Sequence, residues 1–310
     1  MERARPFRFA AGAYHATSSV EWAENARRIE SYGYDTLSIP DHFLKVFSPT
    51  AALTAAACVT TTLRVGIAVY DNDFRHPAVL AKETATLDVL SDGRLEMGIG
   101  AGWLKDEYDR TGIPFDPPAT RVDRMIEAVH VIKGLWSDEP CTFNGRHYQI
   151  TDLDGWPKPI QRPHPPIMVG AGGKRLLSFA AREADIVGII AQATPGGTLD
   201  TPADTETVLA DKVAWIRQEA GTRFESIELS MLIWNLAVTD HPGEGAERIG
   251  RESETSPEHV LESPYYLVGS VDTIADRLVE LRERFGISYF KIFPRNLVDF
   301  APVVAKLARS

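Results

Sequence analysis

The sequence predicts an α/β chain folded as a (β/α)8 TIM barrel with insertions, and an open doubly wound sheet is the alternative. Two observations carry the prediction. Short apolar runs rich in β-branched residues alternate with helical patterns along nearly the whole chain, and eight such runs can be counted. The length of 310 residues, with 44% hydrophobic and 25% charged content, suits one large barrel of ~250 residues plus insertions. We therefore expect a single domain over 1–310, interrupted at about 137–166, 191–203 and 239–262.

The first strand is expected over Phe7 to Ala13, followed by a helix that opens on the capping-box pattern Ser18-Ser19-Val20-Glu21 and ends near Gly33. Thr36 to Pro40 is the second strand. Ser48-Pro49 then starts a helix over Ala51 to Thr60, a cap followed by proline at the first helical position. Leu63 to Tyr70, with Val65, Ile67 and Val69, is the third strand. It leads through a polar loop to Pro77, a helix over Ala78 to Leu90, the turn Ser91-Asp92-Gly93 and a fourth strand over Leu95 to Gly100. This βαβ crossover implies parallel strands.

A polar connection through Gly112 to Phe115 precedes a helix over Thr120 to Trp136, with Val122, Ile126, Val129, Ile132 and Leu135 at helical spacing. The alternation then breaks. Asn144-Gly145 marks a hairpin within Cys141 to Tyr148, and Pro157, Pro159, Pro163, Pro165 and Pro166 forbid a helix. The fifth strand is Ile167 to Gly170, its helix Lys174 to Glu183, and the sixth strand Ile186 to Ile190. Thr205 to Glu219 is read as helical, Ile227 to Val238 as the seventh strand, and Thr239 to Glu262 as a mobile loop or partial helix able to act as a lid. Ser270 caps a helix with Ile274, Leu278, Leu281 and Phe285 on one face. Gly286 ends it, and Tyr289 to Phe293 is the eighth strand.

A formal charge of −10 with no Lys/Arg cluster argues against nucleic-acid or anionic-membrane partners. Two cysteines make no disulfide framework, the N-terminus lacks a signal-peptide core, and no apolar run approaches the ~18 residues of a bilayer span, so a cytoplasmic protein is expected. The scattered histidines show no metal-ligand spacing, and no G-x-S-x-G elbow is present.

In a barrel, chemistry sits at the strand C-termini. There the chain carries Asp41-His42 after the second strand, a histidine suited to proton transfer near neutral pH beside an acid able to orient it; a loop histidine satisfied by backbone is the plainer alternative. The segments Gly98-Ile99-Gly100-Ala101-Gly102-Trp103 and Gly170-Ala171-Gly172-Gly173-Lys174 follow strands. They suit close backbone approach to a phosphate, or else simply relieve crowding at strand ends. Neither matches G-x-G-x-x-G, because Trp103 and Arg175 stand where the last glycine belongs, and the P-loop pattern is absent too. Tyr14, Phe43, Tyr70, Trp103 and Trp234 are candidates to wall a flat organic ligand.

Taken together, GYDTLSIPDHF, RHPAVLAKETATLDVLSDGRLEMGIGAGW, RVDRMIEAVHVIKGLW, PKPIQRPHPPIMVGAGG and LVGSVDTIADRLVELRERFGISYFKIF resemble the luciferase-like monooxygenase superfamily, and within it the deazaflavin (coenzyme F420) dependent oxidoreductases. The resemblance implies a barrel with the cofactor ring at its C-terminal mouth. Asp41 and His42 would lie near the reacting ring position, with His42 handling the proton and Asp41 setting its orientation or charge. It further implies a non-proline cis peptide at about Ala68-Val69, beside Tyr70, backing the ring. Gly100, Ala101, Gly102 and Trp103 with Gly170, Ala171, Gly172 and Gly173 would hold the cofactor side chain and phosphate, near Ile189 and with added charge from Lys174.

The sugar-phosphate dehydrogenases of this superfamily carry an acid after the fourth-strand glycines and a tryptophan four residues past the histidine. Here Trp103 and Val46 occupy those places, which argues against that substrate. The resemblance thus implies hydride transfer between F420 and a small organic substrate, as a reductase, in a homodimer. The alternatives are an FMN monooxygenase served by a separate reductase, and a non-catalytic flavin-binding barrel.

Overall fold

The computed structural model describes residues 5–194, 196–200 and 204–308. Its elements begin with β1 (Arg8–Gly12), α1 (Ser19–Ser31), β2 (Thr36–Ile39), α2 (Pro49–Ala57), β3 (Arg64–Ile67), β4 (Tyr70–Asp71), α3 (Pro77–Leu90) and β5 (Leu95–Gly100). There follow α4 (Lys105–Thr111), α5 (Pro118–Trp136), β6 (Cys141–Asn144), β7 (Gln149–Leu153), β8 (Ile167–Ala171), α6 (Lys174–Glu183) and β9 (Ile186–Ile189). The chain continues through α7 (Glu206–Ala220), β10 (Glu228–Leu232), β11 (Asn235–Val238), α8 (Pro242–Glu252), α9 (Pro257–Glu262), β12 (Tyr266–Gly269), α10 (Val271–Phe285), β13 (Ile287–Ile292) and α11 (Leu297–Leu307).

Strands β3, β2, β1, β13, β10, β9, β8 and β5 pair in that order, all parallel, and β3 pairs with β5 to close the ring. The TIM barrel is the observed fold. Local signals place its helices as the sequence foretells: the Ser18 hydroxyl accepts from the Glu21 amide at 3.2 Å, and that of Ser270 from the Thr273 amide at 3.2 Å. Gly286 ends α10 at φ 76°, a left-handed cap that glycine adopts without a Cβ penalty.

Alternate strand residues face inward, and at the N-terminal end of the barrel these are charged. Glu96, 3% exposed, receives Arg8, the Arg64 Nε–H at 2.6 Å and the Tyr289 hydroxyl at 2.9 Å, while Arg8 also bonds Glu228 at 2.7 Å. This network plugs the bottom of the barrel. The inward positions of adjoining strands also include Gly66, Gly98, Gly170, Gly188 and Ser230, and Thr36, Val69 and Met168 pack into the space that the missing glycine side chains leave.

Three expectations change. The run Ile227 to Val238 is two strands: β10 belongs to the barrel, whereas β11 leaves it to pair in parallel with β12. The break falls at Ile233-Trp234, where Ile233 N–H still bonds Lys291 but Trp234 N–H turns to Tyr265. Of the two readings of Thr239 to Glu262 the helical one holds and the loop one gives way: the stretch is largely α8 and α9, packed through Ala246, Ile249 and Val260 onto Ala237 and Tyr266. The connection after Trp103 contains α4, held by the i,i+4 pairs Lys105–Asp109 and Arg110–Asp106 and ended by Gly112 at φ 76°. A hairpin is present, but its second strand, β7, lies beyond the expected Cys141 to Tyr148: Asn144 pairs with Gln149 and residues 145–148 make the connection, closed by Gly145 N–H on the Tyr148 oxygen. The proline-rich return carries cis bonds at Trp156-Pro157 and Arg162-Pro163. Within the 191–203 insertion, Pro195 and residues 201–203 lie outside the described residues.

Candidate active site

At the barrel mouth the strand written as Leu63 to Tyr70 is interrupted by a cis peptide between Ala68 and Val69, after which Tyr70 and Asp71 rejoin β5. Ala68 and Val69 are half-buried between the buried Ile67 and Tyr70, so they form an apolar floor that opens to the mouth. Val69 explains the neighbouring glycines. A Cβ at Gly98 would lie 2.0 Å from the Ile67 oxygen and 2.9 Å from Val69 Cγ1. One at Gly100 would lie 2.8 Å from Val69 Cγ2, and one at Gly170 3.2 Å from Val69 Cγ1. These strands carry glycine because the valine occupies the space.

His42 faces this mouth from the end of β2. Its Nδ1 is 2.8 Å from Glu107 Oε2, and the other oxygen, Glu107 Oε1, accepts from the Phe43 amide at 2.7 Å. Glu107 thereby fixes both the ring and the loop that carries it. The carboxylate side chain is 4% exposed and the imidazole 21%, so the acid is sheltered while the ring keeps a free edge. The Trp103 ring meets the imidazole edge-on, with centroids 5.9 Å apart. Across the mouth Tyr14, Phe293 and Trp234 make a second aromatic wall, with centroid separations of 6.4 Å for each successive pair.

Asp41 does not orient His42. Its carboxylate is turned away to a two-point pair with Arg75, one bond of 3.2 Å, and accepts from the Asp71 amide at 3.3 Å. The physical reason is competition: a guanidinium offers a carboxylate two parallel donors, which an imidazole cannot match. Beside it, Asp71 accepts from the Tyr108 hydroxyl at 2.8 and 2.7 Å and from the Asp73 amide at 2.9 Å. Burial pushes the Asp71 carboxyl up to about 7; those hydrogen bonds oppose the rise, and the nearby Asp73 and Asp41 charges add to it. Asp73 itself is paired by Arg124 at 2.7 and 2.9 Å.

The expected cofactor residues divide. Ala68, Val69, Ala101, Gly102, Trp103, Gly170 and Gly173 are partly open. Tyr70, Ala171 and Ile189 are fully buried in the layer between strands and helices, with the Tyr70 hydroxyl on Thr50 Oγ1 at 2.7 Å, so their side chains do not reach the mouth. The period-2 alternation of a strand sends them outward. Gly172 is enclosed, its Cβ position 2.3 Å from the Ala191 oxygen, and Gly100 is filled by Val69. Gly102, at φ 74°, lies under the Tyr108 hydroxyl and the Asp71 carboxylate. Gly173 alone of these glycines faces open space, as N-cap of α6 with no side chain capping the first turn. Free amides there and the Lys174 ammonium, 5.6 Å from the Trp215 ring centroid, fit a phosphate group. Sequence reading missed Glu107 and Arg75; the charge pairs flanking Glu107 and the Gly112 cap were the available signal for the first.

A closed parallel barrel with a histidine–carboxylate pair beside an apolar floor at its C-terminal mouth is the architecture of a TIM-barrel enzyme. The chain belongs to the luciferase-like monooxygenase family, whose model matches residues 5–212, and it is an oxidoreductase of that family. It is 36% identical over 171 residues to an F420-dependent glucose-6-phosphate dehydrogenase of Kineococcus radiotolerans, a match spanning 53% of this chain and 50% of that enzyme. It is 33% identical over 131 residues to an FMNH(2)-dependent dimethylsulfone monooxygenase of Pseudomonas putida, spanning 42% and 36%. The fold superposes on the coenzyme F420 dependent tetrahydromethanopterin reductase of Methanopyrus kandleri with a TM-score of 0.76, at 18% identity over 97% of both chains. Among the described helices none is long and apolar enough to cross a membrane.

Proposed function

We propose that this protein is a coenzyme F420-dependent oxidoreductase that reduces a small organic substrate, with His42 as the group that delivers the accompanying proton. The observation that carries the reading is the His42–Glu107 pair at 2.8 Å, a sheltered acid holding a partly open imidazole at the mouth of the barrel. Bound deazaflavin would supply the two-electron hydride chemistry. Ala68 and Val69 fit the back of a flat ring. The open first turn of α6 after Gly173, with Lys174, fits its phosphate-bearing tail. Glu107 fixes the ring plane of His42 through Nδ1, which leaves Nε2 to give a proton to the substrate atom next to the carbon being reduced. Trp103 packs edge-on against the imidazole, and Tyr14, Phe293 and Trp234 offer apolar cover for the substrate.

The relative named for F420 at 36% identity supports the deazaflavin, and the monooxygenase at 33% supports FMN as the second reading. A homodimer is part of the proposal. It is supported by a groove of about 500 Å³ between α2 and α3, lined by Thr50, Thr54, Val79 and Thr86, and by Val79 and Leu90 exposed at 51% and 52%. The function is tested by following the bleaching or recovery of F420 absorbance against a panel of unsaturated and carbonyl acceptors. Turnover by the wild type and its loss in His42→Ala, with cofactor binding retained, supports the reading; equal turnover in both refutes it.

A further inference from the structure

Lys291 has no role in the site described so far. It stands in β13 level with Ala10 of β1 and Leu232 of β10, two residues beyond Tyr289, whose hydroxyl points into the barrel at Glu96. Lys291 therefore faces inward. Its ammonium crosses the interior to Met168 Sδ of β8 at 2.8 Å, and a thioether is a weak acceptor that carries no charge. Among the described residues no carboxylate pairs with it. The acids of the interior are already engaged: Glu96 by Arg8, Arg64 and Tyr289, and Glu228 by Arg8. Burial pushes the Lys291 ammonium down to about 8, with Glu96 opposing.

A second polar group is open to the same interior. Ser230 of β10 is fully buried, level with Gly188 and Tyr289 on the inward face, and its hydroxyl has no hydrogen-bond partner. Val69 of the floor packs on the cluster of Ala10, Met168, Ile186 and Tyr289 through which the lysine passes. A buried water would satisfy the hydroxyl, but it would leave the lysine charge unbalanced. An interior that retains a part-buried cation without a carboxylate partner, one register step along the same inward face from an unpaired hydroxyl, is a candidate binding site.

We infer that Lys291, seconded by Ser230, is an anion-recognition site inside the barrel, which receives an anionic oxygen of the molecule bound at the mouth. Two sources share that chemistry, a carboxylate or enolate of the substrate and the ionised pyrimidine edge of a deazaflavin or flavin ring. Only the second source rests on the function proposed above.

The test compares the wild type with Lys291→Met, of similar volume and no charge, and with Lys291→Arg. In the first arm sodium acetate is the probe, read as a rise in thermal midpoint against sodium chloride of equal ionic strength. In the second arm oxidised F420 and FMN are titrated into each variant. We expect either an acetate response that fades as pH rises through about 8 and is missing in K291M, which identifies the substrate as the source, or a loss of at least about tenfold in ring-cofactor affinity, restored in part by K291R, which identifies the ring. If neither acetate response nor cofactor affinity depends on Lys291, the inference is overturned. Should K291M fail to fold, an acetate response of the wild type that persists undiminished well above pH 8 overturns it, and one that fades supports it. Failure of the wild type to bind either cofactor defeats the proposed function and leaves the acetate arm to decide this site.

Discussion

Glu107 and His42 are 65 positions apart in sequence and 2.8 Å apart at the barrel mouth, whereas Asp41, adjacent to His42 in the chain, bonds to Arg75. The acid that governs the histidine therefore comes from α4, and Asp41 serves to tie the end of β2 to the loop before α3. Glu107 spends both oxygens, one on the imidazole and one on the Phe43 amide, so its removal frees the ring and the loop together.

Replacing His42 by Ala is expected to lower kcat by about 10²- to 10⁴-fold, the usual contribution of a positioned proton donor. Glu107→Ala is expected to lower kcat roughly tenfold or more with cofactor affinity little changed. Glu107→Gln should recover part of the loss, because its amide oxygen accepts one of the two bonds. Steady-state kinetics with a parallel cofactor titration check this; equal loss in E107A and E107Q would mean that charge, and not placement, matters.

Gly98 and Gly173 make a contrasting pair. A Cβ at Gly98 would meet the Ile67 carbonyl at 2.0 Å, and backbone must shift to admit it, so Gly98→Ala is expected to destabilise the fold by about 3 kcal/mol. Gly173 faces open space at φ −96°, and Gly173→Ala should stay within about 0.5 kcal/mol of the wild type. Denaturant melts of both variants decide the matter.

Glu96 holds two guanidinium groups and a phenol in the bottom of the barrel. Its truncation to Ala leaves Arg8 and Arg64 without their shared acid, and the expected cost is roughly 3–5 kcal/mol. The same melts measure it. A loss below about 1 kcal/mol would show that solvent already screens the pair.

Asp71 gives stability a pH dependence of definite sign. Its folded carboxyl titrates near 7 and its unfolded one near 3.8, so in that window the folded chain holds a proton that the unfolded chain has released. The contribution therefore falls as pH rises through the window, and above about 7 the full cost of a buried charge remains. Asp71→Asn removes that cost while keeping an acceptor for Tyr108. Its thermal midpoint should exceed that of the wild type at pH 8 and approach it near pH 4; a gain that does not change with pH would contradict the assignment.

The sequence was most legible where local chemistry and periodicity agree. Ser18, Ser270 and Gly286 announced their helix ends, and the β-branched runs announced the barrel strands. The cis peptide at Ala68-Val69 followed from resemblance alone, since no local pattern announces one. Periodicity failed at Ile227 to Val238, because an apolar run does not reveal that its second half pairs with β12, far along the chain. It failed again at Asp41, where adjacency in sequence suggested a partnership that Arg75 takes over. Tyr70, Ala171 and Ile189 show the remaining limit: strand alternation decides which neighbour faces the mouth, and a one-residue difference in phase reverses the answer. Glu107 lies in a short charged helix whose long-range contact with the loop after β2 depends on barrel closure, so only the assembled fold displays it.

The deazaflavin assignment is decided by a side-by-side titration of the purified protein with oxidised F420 and FMN, read by fluorescence. F420 is expected to bind at micromolar concentration and FMN at least about tenfold more weakly, and added salt is expected to weaken F420 binding by screening the proposed contact of its phosphate with Lys174 and the α6 amides. Micromolar binding of FMN with none of F420 would contradict it.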